Sequence, residues 1–175
     1  MEISMNKFPL FCITFFLLIA SSALSQHVDC EFSRMADFSK FKTYKWVIFK
    51  NAAPIDKLTD EQIKAAVDAV LASKGLAKVD VDAADLFIGY QSTELITKEL
   101  PKPWTWDESP PTIYHGELAI DMYTPADHHL VWRGVASKTL DPKAKPEKRQ
   151  QNLNKAVAKL MNNYPPNGES PCRLD

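Results

Sequence analysis

Glycine is scarce in this sequence. The five that occur, at positions 75, 89, 116, 134 and 168, are too far apart to assemble a phosphate-cradling loop or a dinucleotide-binding fingerprint. Charge of either sign is also without excess: 21 Lys and Arg against 22 Asp and Glu leave −1 at pH 7, with a pI near 6.4. A chain with no basic field is poorly suited to phosphate backbones, so nucleic acid is not an expected partner. No Gly-x-Ser-x-Gly and no His-Glu-x-x-His is present, which removes the familiar nucleophile and zinc-hydrolase arrangements. The residues therefore assign no catalytic group, no cofactor and no metal, and an enzyme is not expected.

One long apolar run exists, from Phe8 to Ala20, and it is shorter than the roughly 20 residues a membrane span needs. Lys7 before it and Ala23-Leu24-Ser25 after it give the pattern of a cleavable signal peptide over residues 1–25, with cleavage before Gln26. Neither Cys12, after Pro9-Leu10-Phe11, nor Cys30, after His27-Val28-Asp29, follows the small residues of a lipoprotein cleavage site. A periplasmic or secreted chain with no transmembrane span after cleavage is the expectation. Cys12 would leave with the signal. Cys30 and Cys172 would then meet an oxidising compartment, where one disulfide would stabilise by on the order of 4 kcal/mol in the loop-entropy account. Two separate thiols are the alternative.

Against these absences stands a complete hairpin from Glu117 to Ala136. Leu118, Ile120 and Met122 alternate with Glu117, Ala119, Asp121 and Tyr123, Val131 to Val135 return, and Thr124-Pro125-Ala126-Asp127 supplies the turn. Pairing Asp121 with Arg133 sets Met122 opposite Trp132, Ile120 opposite Gly134 and Leu118 opposite Ala136. A slip of one residue would put Arg133 on the core face, where an unpaired charge is costly. The cross-strand ion pair adds roughly 0.2 to 1 kcal/mol, and Trp132 is expected to spread over the bare backbone at Gly134.

The rest of the chain supplies partners for that hairpin. Strands are expected over Val28–Phe32, Thr43–Phe49 and Leu86–Ile96, the last with a bulge at Gly89, and Asp37 to Phe41 reads as a turn with both Phe directed inward. A helix is expected from Leu58, with Thr59 as N-cap, Gln62 closing a capping box and Leu58 stapled on Ile63. Ile63, Ala66, Val67, Val70 and Leu71 form its buried stripe and Gly75 ends it. A second helix is expected from Pro146 to Tyr164, closed by Pro165-Pro166. Asp80, Asp82 and Asp85 lack EF-hand spacing and read as a solvated loop. The expected fold is α+β: an antiparallel sheet of four to five strands with both helices on one face, in the order ββαβββα. The domain would span residues 26–166, with 167–175 as a tail.

Candidate chemistry is thin. His115 and Glu117 share a strand face with Asp121, the constellation a small metal-dependent or motif-less hydrolase would use, although the reading these residues favour is an exposed face with ordinary cross-strand pairs. His128-His129 falls at the hairpin turn, and His27 stands second after the expected cleavage. Glu99 to Pro111 is Pro-rich and carries Trp104 and Trp106. Those indoles either fold over the edge of the core or form an exposed platform for a glycan or partner protein.

Asp37 to Trp46, Ala72 to Leu76, Ala84-Asp85 opening a strand that ends Gly89-Tyr90-Gln91, Gly116 to Asp121, Leu130 to Gly134 and Tyr164-Pro165-Pro166 together resemble a bacterial envelope family catalogued as domain of unknown function 4136. The resemblance implies an exported, often lipid-anchored α+β domain with no assigned chemistry. The expected role is a binding or structural module of the cell envelope, with an envelope protein or glycan as partner and Trp104 and Trp106 as its contact residues. The alternative role is the small envelope hydrolase built on His115, Glu117 and Asp121.

Overall fold

Alternating apolar residues build a seven-stranded sheet whose order is β3-β2-β4-β5-β6-β1-β7. In chain order the strands are β1 (His27–Phe32), β2 (Thr43–Trp46), β3 (Ala77–Lys78), β4 (Leu86–Lys98), β5 (Thr112–Tyr123), β6 (Leu130–Leu140) and β7 (Arg173–Leu174). Two helices, α1 (Lys57–Ser73) and α2 (Pro146–Met161), and a 3-10 turn at Phe38–Lys40 complete the fold. The computed structural model describes residues 26–50, 52–98, 112–166 and 172–174. The expected signal peptide and both Trp104 and Trp106 lie outside the described residues.

The hairpin register is the one the polarity argument selects. Asp121 pairs with Arg133, Met122 with Trp132, Ile120 with Gly134 and Leu118 with Ala136. The hairpin is longer than Glu117 to Ala136, because β5 begins at Thr112 and pairs back to β4 as far as Lys98↔Thr112. Gly134 does receive the indole: a Cβ there would collide with the ring of Trp132 and lie 2.6 Å from Leu160 Cδ1. Gly89 is not a bulge. Register across it runs unbroken from Phe87↔Tyr123 to Lys98↔Thr112, and the residue is small because the Phe49 ring rests where its Cβ would stand.

The class is α+β, but the sheet is mixed and wider than four or five antiparallel strands. β2 runs parallel to both β3 and β4, and β1 runs parallel to β7. The cause is the helix between β2 and β4. A chain that leaves one strand, crosses a face as a helix and re-enters the sheet comes back in the same direction. β1 pairs antiparallel with β6, far away in sequence, and not with β2.

Both helices cover one face. Ile63, Val67 and Leu71 of α1 and Val157, Leu160 and Met161 of α2 join Tyr44, Leu86, Ile88, Ile120, Met122 and Trp132 in a single buried cluster. α1 starts earlier than expected: its N-cap is Asp56, whose carboxylate accepts from the Thr59 N–H at 3.0 Å. Thr59 is therefore inside the first turn, and Leu58 is 63% exposed and staples nothing. The other end closes as a Schellman motif. Gly75 takes φ +85°, its N–H donates to Ala72 O, and the Leu76 N–H donates to Leu71 O. α2 ends at Met161, short of Tyr164, but Tyr164 is fully buried and packs edge-on against Trp132 and Phe38. Phe38 and Phe41 both turn inward, in T-shaped contact with each other.

Cys30 and Cys172 form a disulfide across a sequence separation of 142. Cys30 lies on the helix-facing side of β1, and Cys172 leads directly into β7 at the sheet edge. The segment read as a C-terminal tail thus contributes to the sheet.

Candidate functional site

Because strand side chains alternate, the face away from the helices receives Phe87 and Gly89 of β4, His115, Glu117, Asp121 and Tyr123 of β5, Arg133 of β6 and Glu31 of β1. Its centre is an ion pair. Arg133 Nε donates to Asp121 Oδ1 at 2.6 Å and Nη2 donates to Oδ2 at 2.7 Å, a fork on a fork, while Nη1 lies 3.8 Å from Glu31 Oε1. The Asp121 side chain is only 2% exposed against 37% for Arg133, so the guanidinium is the lid that takes the carboxylate out of water. The hydrogen bonds that Arg133 donates to Asp121 push its pKa upward. Burial, followed by the Asp121 charge, raises the Tyr123 phenol. Beside this pair Phe49 sits on Gly89 and meets Tyr123 edge-on at 5.6 Å. With Phe87, Ile48, Lys50 and His128 they line a shallow cleft of about 360 Å³.

His115, Glu117 and Asp121 are not brought together. At about 3.3 Å per residue along a strand, His115 and Asp121 stand about 20 Å apart, and Asp121 is already occupied by Arg133. No group of three His, Cys, Asp or Glu that could hold a metal exists among the described residues. At the hairpin turn His128 takes φ 52°, whereas the His129 ring turns back to Ser33 Oγ at 3.2 Å. His27 contacts Asp29 at 3.1 Å.

The carboxylates that matter most to the architecture were given no structural role by sequence. Asp68 Oδ1 of α1 accepts from Tyr44 OH at 2.7 Å and Trp46 Nε1 at 2.8 Å, and Lys78 Nζ donates to its Oδ2 at 3.2 Å. Asp60, on the same helix, accepts from Tyr90 OH at 2.7 Å and from Lys64 Nζ. The Tyr90 and Lys64 hydrogen bonds hold the Asp60 carboxyl below its usual range. Asp85 is a clamp and not a solvated loop residue. Its Oδ2 accepts from the N–H of Lys42 and Thr43 and from Thr43 Oγ1, all within 2.9 Å, and its own N–H donates back to Thr43 Oγ1 at 3.0 Å. The Lys42 N–H is the largest cause of its lowered pKa. Sequence held one usable signal, the spacing of Asp60, Lys64 and Asp68 along one helix edge.

A second cleft, of about 440 Å³, runs between α2 and the far ends of β5 and β6. Leu118, Ala136, Leu140, Leu153 and Ala156 form its apolar lining, beside Arg149. That arginine is held in place by donating to the carbonyls of Ala144 and Pro142 at 3.0 and 2.9 Å. Among the described residues no helix is long and apolar enough to cross a membrane.

Solved structures of similar fold include a PDZ domain protein from Parabacteroides distasonis and the PelC dodecamer from Paraburkholderia phytofirmans. The first is 16% identical with a TM-score of 0.54, covering 83% of this chain and 37% of that protein, so this chain spans well under half of that protein's length. PelC is 9% identical with a TM-score of 0.52, covering 78% of this chain and 95% of that one. At such identities the likeness is one of fold. No curated protein matches the chain. Residues 28–166 match the family described as Domain of unknown function (DUF4136), so the resemblance read from the sequence holds and the chain belongs to that family.

Proposed function

We propose that this chain is a non-catalytic binding or structural module of the bacterial cell envelope, exported by its N-terminal segment. In this reading it contacts an envelope protein or glycan through Trp104, Trp106 and the sheet face away from the helices. The observation that carries the reading is the commitment of Asp121: the acid nearest the centre of that face is spent on a bidentate hold of Arg133, as Asp60, Asp68 and Asp85 are spent on tying strands and helix together. A disulfide between Cys30 and Cys172 fits an oxidising compartment. The β4–β5 ladder runs to Lys98↔Thr112, so the Trp-bearing segment joins two adjacent strand ends.

Co-sedimentation of the purified protein with isolated cell walls and with envelope-protein fractions tests the reading. Retention is expected, and the double substitution Trp104→Ala and Trp106→Ala is expected to reduce it by about thirtyfold, the loss of one aromatic hot spot of about 2 kcal/mol. Equal retention of both proteins, or none of either, removes the proposal.

A further inference from the structure

Independently of that reading, the edge of β4 points to self-association. β4 has 13 residues, yet its β2 side is matched only at Leu86, Phe87 and Ile88. The last bond on that side runs from the Val47 N–H to the Ile88 carbonyl at 2.8 Å. Backbone groups of a strand point alternately to its two sides, so those of Tyr90, Ser92, Glu94 and Ile96 face the same way as those of Ile88. No strand among the described residues receives them. Gln91, Thr93, Glu94, Leu95 and Ile96 are exposed, Leu95 by 56% and Ile96 by 63%. Of the usual protections of an edge, Tyr90 to Ile96 carries only one charge, Glu94, with no Pro, no Lys and no bulge.

We infer that a second copy of this chain pairs along this edge, antiparallel and two-fold symmetric about Thr93. The choice of a second copy rests on self-complementarity. Centred on Thr93, Ser92 faces Glu94 of the other copy, Gln91 faces Leu95, Tyr90 faces Ile96 and Thr93 faces itself. Every outward N–H and C=O in the stretch then finds a partner, with a Thr–Thr pair and aromatic–β-branched pairs across the junction. Centring on Glu94 instead sets two carboxylates directly opposite, which is unfavourable. The interface is isologous, so it closes at two copies.

Light scattering at micromolar concentrations tests the oligomeric state directly, with a two-copy mass expected. The Thr93 pair is of the non-hydrogen-bonded kind, with Cα atoms about 4.5 Å apart, within disulfide range. Thr93→Cys is therefore expected to give a covalent dimer on mild oxidation, whereas Ala72→Cys, exposed on α1, stays single. Ser92→Pro removes an outward N–H while leaving the β5 ladder intact. It is expected to weaken the dimer by about tenfold, two symmetric hydrogen bonds being lost, with an unchanged circular dichroism spectrum. A single-copy mass for the wild type, no Thr93→Cys cross-link, or cross-linking equal to that of Ala72→Cys overturns the inference. Should Ser92→Pro unfold, the cross-link comparison alone decides.

Discussion

Gly134 earns its place by what it lacks. Trp132 and Leu160 fill the space a Cβ would take, and Trp132 is wholly buried as a result. Gly134→Ala is expected to destabilise by about 1–3 kcal/mol, the cost of overpacking a closed core, read as a lower urea midpoint with an unchanged slope. This contact was legible because the two residues are neighbours on one strand face, where alternation alone brings them together. Asp85 was not legible. Its partners Lys42 and Thr43 lie 43 and 42 positions away, and nothing local separates a clamp from one more acid in an acidic loop. Its carboxyl is held below the ordinary value of 3.8, so its contribution is present above that pH and is lost as pH falls through the folded value. Asp85→Asn is expected to cost about 1–2 kcal/mol at pH 7. Unfolding curves of the two proteins should converge on acidification below pH about 4; a constant gap would argue against the charge.

Among elements, α1 shows how close alternatives are resolved. The expected cap is Thr59, but Asp56, three residues earlier, is also of a type that caps helices. The carboxylate of Asp56 wins because its residue holds extended backbone, at φ −66° and ψ 149°, which aims the oxygen at the free N–H groups of the first turn. Asp56→Ala is expected to cost about 1 kcal/mol in thermal or chemical unfolding, and Thr59→Ala less. The long strands and both helices were readable from period 2 and period 3.6 because each buries one face over many residues. The two-residue strands β3 and β7 are too short to carry any period. Parallel pairing of β2 with β4 was available from the strand–helix–strand order, but period alone does not encode direction.

For the molecule as a whole, the sheet is closed at one edge by covalent chemistry. Pairing of Cys30 with Cys172 was a possibility in the sequence because only two cysteines follow the apolar N-terminal run. Which face they share was not, since it depends on β1 joining β6. Replacing both by Ser, or reducing the bond, is expected to cost about 2–5 kcal/mol, measured as a fall in denaturant midpoint. Loss of β7 pairing should accompany it as faster hydrogen exchange at Phe32, whose N–H faces β7, whereas Glu31, on the β6 side like Ser33, should be unaffected. His115, Glu117 and Asp121 shared a strand face on paper; distance along the strand separates them in space.

The same bond has a mechanical meaning. Tension applied from Gln26 at one end and Leu174 at the other enters through Cys30 and leaves through Cys172, bypassing everything threaded between them. A tether pulling on this molecule would load one sulfur bridge and leave the core slack, so stretching it should lengthen the chain by a few residues at either side and no more until a reductant is supplied.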